Sequence, residues 1–209
     1  MKKVKRARDY RHLAADKISG ANLGGTMALV TLIYIILVGA AAFSLIGSII
    51  LPGAFMLGYA LIVRKISNGD TPTLGDLFQG FNNFGQSIII YFMSTLYIFL
   101  WSLLLIIPGI IKSYSYAMIY FIQNDNPKMA YNDVITESRN LMRGHKWRLF
   151  CLNLSYIGWY LLVGLTFGIL GLWVIPRHQL AQYEFYRDLL GESEEVEVKV
   201  EVVDAEVVE

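Results

Sequence analysis

Charged residues are missing from three long stretches of this chain. No Asp, Glu, Lys or Arg occurs from Ile18 to Val63, from Leu77 to Ile111, or from Leu149 to Pro176. The hydrocarbon core of a bilayer, about 30 Å thick, takes roughly 20 apolar residues as a helix. Each stretch therefore holds at least one span, and the first two have length for more. A helix in water needs a polar face beside its apolar stripe, and these segments have none. The pattern predicts an all-α, polytopic membrane helix bundle.

Breaks within the stretches divide them into about six hydrophobic helices arranged as three hairpins. The first helix runs from about Met27 to Leu45 and the second from a break near Gly47–Gly53 to Arg64-Lys65. The third covers about Ser87 to Ile107. Pro108-Gly109 ends it, because proline removes a donor and clashes with the preceding turn. A fourth continues to about Ile122, a fifth runs from Leu149 to Phe167, and a sixth from beyond Gly171 to Leu190. Each hairpin carries an aliphatic-Pro junction, at Pro52, Pro108 and Pro176. These read either as turns at the outer surface or as the broken helices of a transporter repeat, the turn being preferred.

Polar and amphipathic segments lie between the hairpins. Residues 3–18 form a short basic helix with Val4, Ala7, Ala14 and Ile18 near one face, suited to lying in the interface. Thr73-Leu74-Gly75-Asp76 opens a second short piece with Phe78, Phe81 and Phe84. Asn124-Asp125-Asn126-Pro127 signals a helix start. Beyond it Val134, Leu141 and Met142 recur at helical spacing, and Gly144 closes the helix. The chain thus divides into a basic amphipathic segment (1–26), a bundle (27–190) and an acidic, disordered tail (191–209).

Composition strengthens the membrane reading. The chain is 55% hydrophobic and 17% charged, against about a quarter charged in a soluble domain. Lys2, Lys3, Lys5, Arg6, Arg8 and Arg11 lead into the first apolar run, which favours an anionic lipid surface over nucleic acid. A small-residue site at Ala40-Ala42 resembles a signal-peptide cleavage site, but the apolar run continues past it. Nearly every base falls in 1–26, 64–86, 123–148 or the tail, so the positive-inside rule places these regions, and both termini, in the cytoplasm. The tail alternates Glu with Val, and Cys151, alone of its kind, reads as a small buried hydrophobe.

Three segments carry a family likeness. Leu104-Leu105-Ile106-Ile107-Pro108-Gly109-Ile110-Ile111-Lys112 with Tyr116-Ala117-Met118 is one. Ser138-Arg139-Asn140-Leu141-Met142-Arg143-Gly144-His145-Lys146-Trp147-Arg148-Leu149-Phe150 is the most specific, and Ser155-Tyr156-Ile157-Gly158-Trp159 completes the set. Together they resemble the domain-of-unknown-function 975 family of bacterial integral membrane proteins. The resemblance implies a multi-pass protein of the bacterial cytoplasmic (inner) membrane and no reaction. Pro108, Gly109, Gly144, His145, Lys146 and Trp147 are its marking positions.

Catalytic and cofactor patterns are absent from the sequence. It has no phosphate-binding Gly-rich loop, no metal-spaced His or Cys and no nucleophile elbow, which argues against an enzyme, a metal site and a cofactor. Ionisable residues at membrane depth are the better lead, since each is costly unless paired or hydrated. Lys112, Tyr116, Arg177, His178 and Glu184 adjoin two proline breaks and are the candidate intramembrane polar cluster, with Glu184 as the acceptor for Lys112. The competing reading lets Lys112 snorkel to the surface. Asn153 and Ser155 are expected to bond across helices, and Gly164 and Gly168 to pack closely within the monomer. Two functions follow: a structural or regulatory protein that organises lipid or a protein partner, or a small transporter or permeation accessory with a polar pathway.

Overall fold

A computed structural model describes residues 5–20, 23–42, 45–104 and 106–191. The tail from residue 192, with Lys2 and Lys3, lies outside them. Among the described residues the fold is helical throughout and contains no strand.

Helix α1 spans Ala7–Gly20, and α2 spans Gly24–Ala42, meeting it at 107°. Helix α3 (Leu45–Ser67) is followed by short α4 (Leu74–Phe78), a 3-10 turn (Gln79–Asn83) and α5 (Phe84–Leu104). Then come α6 (Ile106–Ser115), α7 (Ile119–Asp125), α8 (Tyr131–Leu141), α9 (Lys146–Ser155), α10 (Ile157–Leu165) and α11 (Gly171–Leu190). Helices α3 and α11 are the hubs. The first packs on α2, α4, α5, α7 and α11, and the second also on α1, α9 and α10.

Two stretches, Leu74–Leu103 and Lys146–Leu165, are long and apolar enough to cross a membrane, and α1 with α2 makes a third if the bent pair counts as one span. Six such helices are not shown. The expected fourth is divided into α6 of 10 residues and α7 of 7, parted at Tyr116–Met118. The sixth, α11, buries Glu184 and Arg187, so its packed face is polar at one end.

The junction prolines do not form the turns. Pro52 lies within α3, Pro108 within α6 and Pro176 within α11. The third hairpin turns ahead of its proline, at Phe167 (φ 49°) and Gly168 (φ 88°), where the Gly168 amide bonds to the Val163 carbonyl. Pro108 is the third residue of α6, where a missing donor costs little because first-turn amides have no partner within the helix. What closes the α5–α6 hairpin is Gly109: a Cβ there would lie 2.1 Å from Ser102 Oγ and 2.9 Å from Ser102 Cα.

Local signals were partly redirected by packing. The turn Asn124–Pro127 does not start α8, which begins at Tyr131. Its polar groups instead hold α3 against the end of α7. Asn124 Nδ2 donates to the Leu57 carbonyl at 3.0 Å, and Arg64 donates to the Asn124 carbonyl at 2.9 Å. Helix α8 buries Val134, Ile135 and Ser138 and rests on α5 and α7. Gly144 follows it with φ +83°, the left-handed conformation that glycine adopts without a Cβ penalty. Thr73 N–H donates to the Asp76 carboxylate at 2.8 Å at the start of α4, and Asp76 in turn pairs with Lys65 at 2.7 Å. Gly164 and Gly168 face open space, with no neighbour within 4 Å of an added Cβ, so neither provides the close approach expected from their spacing.

Candidate functional site

Helix α1 supplies the first part of the site. Its apolar face, Tyr10, Ala14 and Ile18, is buried against α11 and α9. Polar side chains then fix it at both ends. Near its start, Tyr10 O–H donates to Asp188 at 2.6 Å and Arg148 pairs with the same carboxylate at 2.7 Å. Toward its end, Lys17 Nζ donates to Glu184 at 2.7 Å and to the Ser67 carbonyl at 2.9 Å. Ser67 Oγ also donates to Glu184 and accepts from Arg187 at 2.9 Å. Between them, Arg11 donates to the Ser155 carbonyl at 2.9 Å. Tyr186 O–H reaches Asp125 at 2.6 Å, and Arg64 lies 3.3 Å from the same carboxylate. A polar layer thus joins α1, α3, α7, α9 and α11.

At Asp188 the layer sets a phenol and a guanidinium on one carboxylate. Glu184 is buried beneath Lys17. A cation and a hydroxyl meet each of these acids.

The candidate cluster is distributed over several places. Glu184 takes Lys17 as its partner, not Lys112. His178 bonds to Tyr160 O–H at 2.7 Å and to Asn153 Oδ1 at 2.9 Å, and Gln182 shares that Asn153 oxygen at 3.1 Å. Tyr156 O–H donates to the Arg177 carbonyl at 3.2 Å, and the Arg177 side chain lines a shallow cleft with Arg11 and His12. Lys112 stands 4.6 Å above the Trp101 ring and shares a concavity with Tyr116 and Arg139. Lys112 and Tyr116 are therefore brought together, whereas Arg177, His178 and Glu184 sit elsewhere along α11.

A cavity of about 280 Å³ opens among α2, α3, α5, α6, α7 and α11. Tyr34, Tyr59, Tyr91, Tyr116 and Tyr120 line it, together with Gln179 and Gln182. Among the described residues its lining has hydroxyls and amides and no charged side chain. Sequence reasoning singled out Tyr116 but missed Tyr34, Tyr91 and Tyr120. Those tyrosines fall inside apolar runs, where a phenol looks like any aromatic lipid-facing residue. The partners of the polar layer were missed for another reason: Tyr10–Asp188 and Lys17–Glu184 are separated by most of the chain.

The fold and these contacts define an all-helical protein with two or three helices able to cross a membrane. Residues 103–193 match the family described as protein of unknown function, DUF975, the one whose motifs the sequence resembles. No curated protein and no solved structure matches the chain.

Within the matched region the marking positions acquire physical roles. Gly109 permits the close α5–α6 approach, and Gly144 reverses the chain between α8 and α9. His145 precedes α9 and lies 3.3 Å from Arg148. Trp147 stacks on Phe150 with centroids 5.1 Å apart and is 71% exposed. Of the N-terminal bases, Arg6 and Arg8 are exposed, Lys5 and Arg11 half-buried.

Proposed function

We propose that this chain is a multi-pass integral protein of the bacterial cytoplasmic membrane, with a structural or regulatory role in organising lipid or a protein partner. The observation that carries the reading is the contrast between its surfaces. Large apolar side chains are exposed along α2, α5 and α10 and in the turn after α10, among them Leu103 at 75%, Leu165 at 76% and Phe167 at 97%. Exposed apolar area of that extent has a membrane or a partner as its natural complement. Meanwhile the basic helix α1 is anchored internally by Tyr10 and Lys17, leaving Arg6 and Arg8 directed outward for an anionic leaflet. In this reading both termini are cytoplasmic, a placement supported by the distribution of Lys and Arg. The reading includes no reaction.

The second reading, a permeation accessory, is favoured by the tyrosine-lined cavity. Single cysteines at Tyr116 and Gln182 in a Cys151→Ser background separate the two. A membrane-impermeant maleimide should label Lys128→Cys, on an exposed turn, and leave both cavity positions unlabelled. Labelling at both from water would instead support a hydrated pathway.

A further inference from the structure

Four cations converge where α6 meets the α8–α9 junction. Lys112, Arg139, Arg143 and Lys146 line one concavity of about 340 Å³ together with Ser115 and Trp147. Lys112 and Arg139 also line an adjoining concavity of about 380 Å³ with Trp101 and Tyr116. Among the described residues no carboxylate lines either. Among the described residues none of the four cations has an acidic partner within 4.0 Å, whereas Lys17, Arg64, Lys65 and Arg148 each do. Lys112 settles for the face of Trp101, the weaker attraction of a cation for a ring.

Like charges gathered in one hollow repel, and an anion bound there relieves that repulsion. Its details specify the anion's shape. Two guanidinium groups present planar donor forks suited to phosphate oxygens, and Ser115 adds a hydroxyl to the lining. The hollow opens at the N-terminus of α9, where the helix dipole is positive. Beside it runs an apolar strip on α5 and α6: Leu103, Ile107, Ile110 and Ile111 are all exposed, as is Trp147. A ligand that suits both surfaces has an anionic head and hydrocarbon chains.

We infer that this hollow is a binding site for the phosphate headgroup of an anionic phospholipid, held by Arg139, Arg143, Lys112 and Lys146. The lipid source rests on the membrane reading above, which alkaline extraction tests separately. Arg139 and Arg143 are exposed, so replacing them leaves the packing intact.

Native mass spectrometry of the full chain, released from detergent with added lipid, tests the site. Dioleoylphosphatidylglycerol should be retained roughly tenfold over dioleoylphosphatidylcholine. The Arg139→Gln/Arg143→Gln variant should lose that preference, whereas Arg139→Lys/Arg143→Lys should keep part of it and Arg6→Gln/Arg8→Gln nearly all. Equal retention of the two lipids by the unaltered protein overturns the inference, as does a preference that survives in Arg139→Gln/Arg143→Gln. Displacement of the lipid by millimolar inorganic phosphate overturns the lipid source in favour of a free phosphate. A preference that appears only after residues 192–209 are removed overturns it in favour of the chain's own acidic tail.

Discussion

Asp188 shows how a single side chain ties the first helix to the last. Its carboxylate receives Tyr10 and Arg148 at 2.6 and 2.7 Å. Asp188→Asn would leave a half-buried Arg148 without its counter-charge, a loss of about 1–3 kcal/mol for charged hydrogen bonds. Thermal unfolding in detergent should therefore separate the unaltered protein from Asp188→Asn clearly at pH 7; equal melting temperatures would place Asp188 outside the contacts that hold α1. Lys17 and Glu184 make a second such pair. A double-mutant cycle with Lys17→Met and Glu184→Gln should show coupling of about 1–3 kcal/mol, while Lys112→Met with Glu184→Gln should be additive.

At the scale of elements, two glycines in the family-marking segments work by different physics and should respond differently to alanine. At Gly109 the added methyl would run into Ser102, including its backbone Cα at 2.9 Å. The α5–α6 hairpin must then open, at about 1–3 kcal/mol for an overpacked contact. Ser102→Ala should recover part of the loss by removing the oxygen 2.1 Å away. At Gly144 there is open space but φ is +83°, so alanine there costs about 1–2 kcal/mol through backbone conformation alone, and Asn should cost less than Ala. Melting temperatures of the four variants in one detergent check the pattern. Equal losses at both sites, with no relief from Ser102→Ala, would contradict it. The sequence announced both glycines through motif and turn logic, but not their mechanisms, because the contact at Gly109 exists only once α6 folds back on α5. The Asn124–Pro127 signal is the complementary case. It has the local chemistry of a helix start, yet Leu57 and Arg64, more than fifty residues earlier, take its polar groups.

Across the whole molecule, what was legible in the sequence was the part set by charge distribution. The uncharged stretches yielded an all-helical fold with apolar helices, and the polar ends of α3, α7 and α11 meet through Arg64 with Asp125, Tyr186 with Asp125 and Arg187 with Ser67. Partner choice was not legible, because helix faces are set by rotation and tilt that hydrophobic runs leave undetermined. That is why Glu184 is met by Lys17 and Lys112 by other cations. The same reasoning sets the most general test. Helices α5 and α10 expose Phe92, Phe99, Leu100, Leu161 and Leu165, whereas the ion pairs that bind α1 lie inside the molecule. Alkaline carbonate strips proteins held to a membrane by charge and leaves those held by hydrocarbon burial, at about 25 cal/mol per Å² of apolar surface. The chain should accordingly remain in the membrane pellet at pH 11 and in high salt, and leave it only with detergent. Removing residues 1–20 should not release it, because the apolar surface of α2, α5 and α10 is intact without them. Release by alkali alone would show that these exposed faces meet a protein partner in water and not lipid.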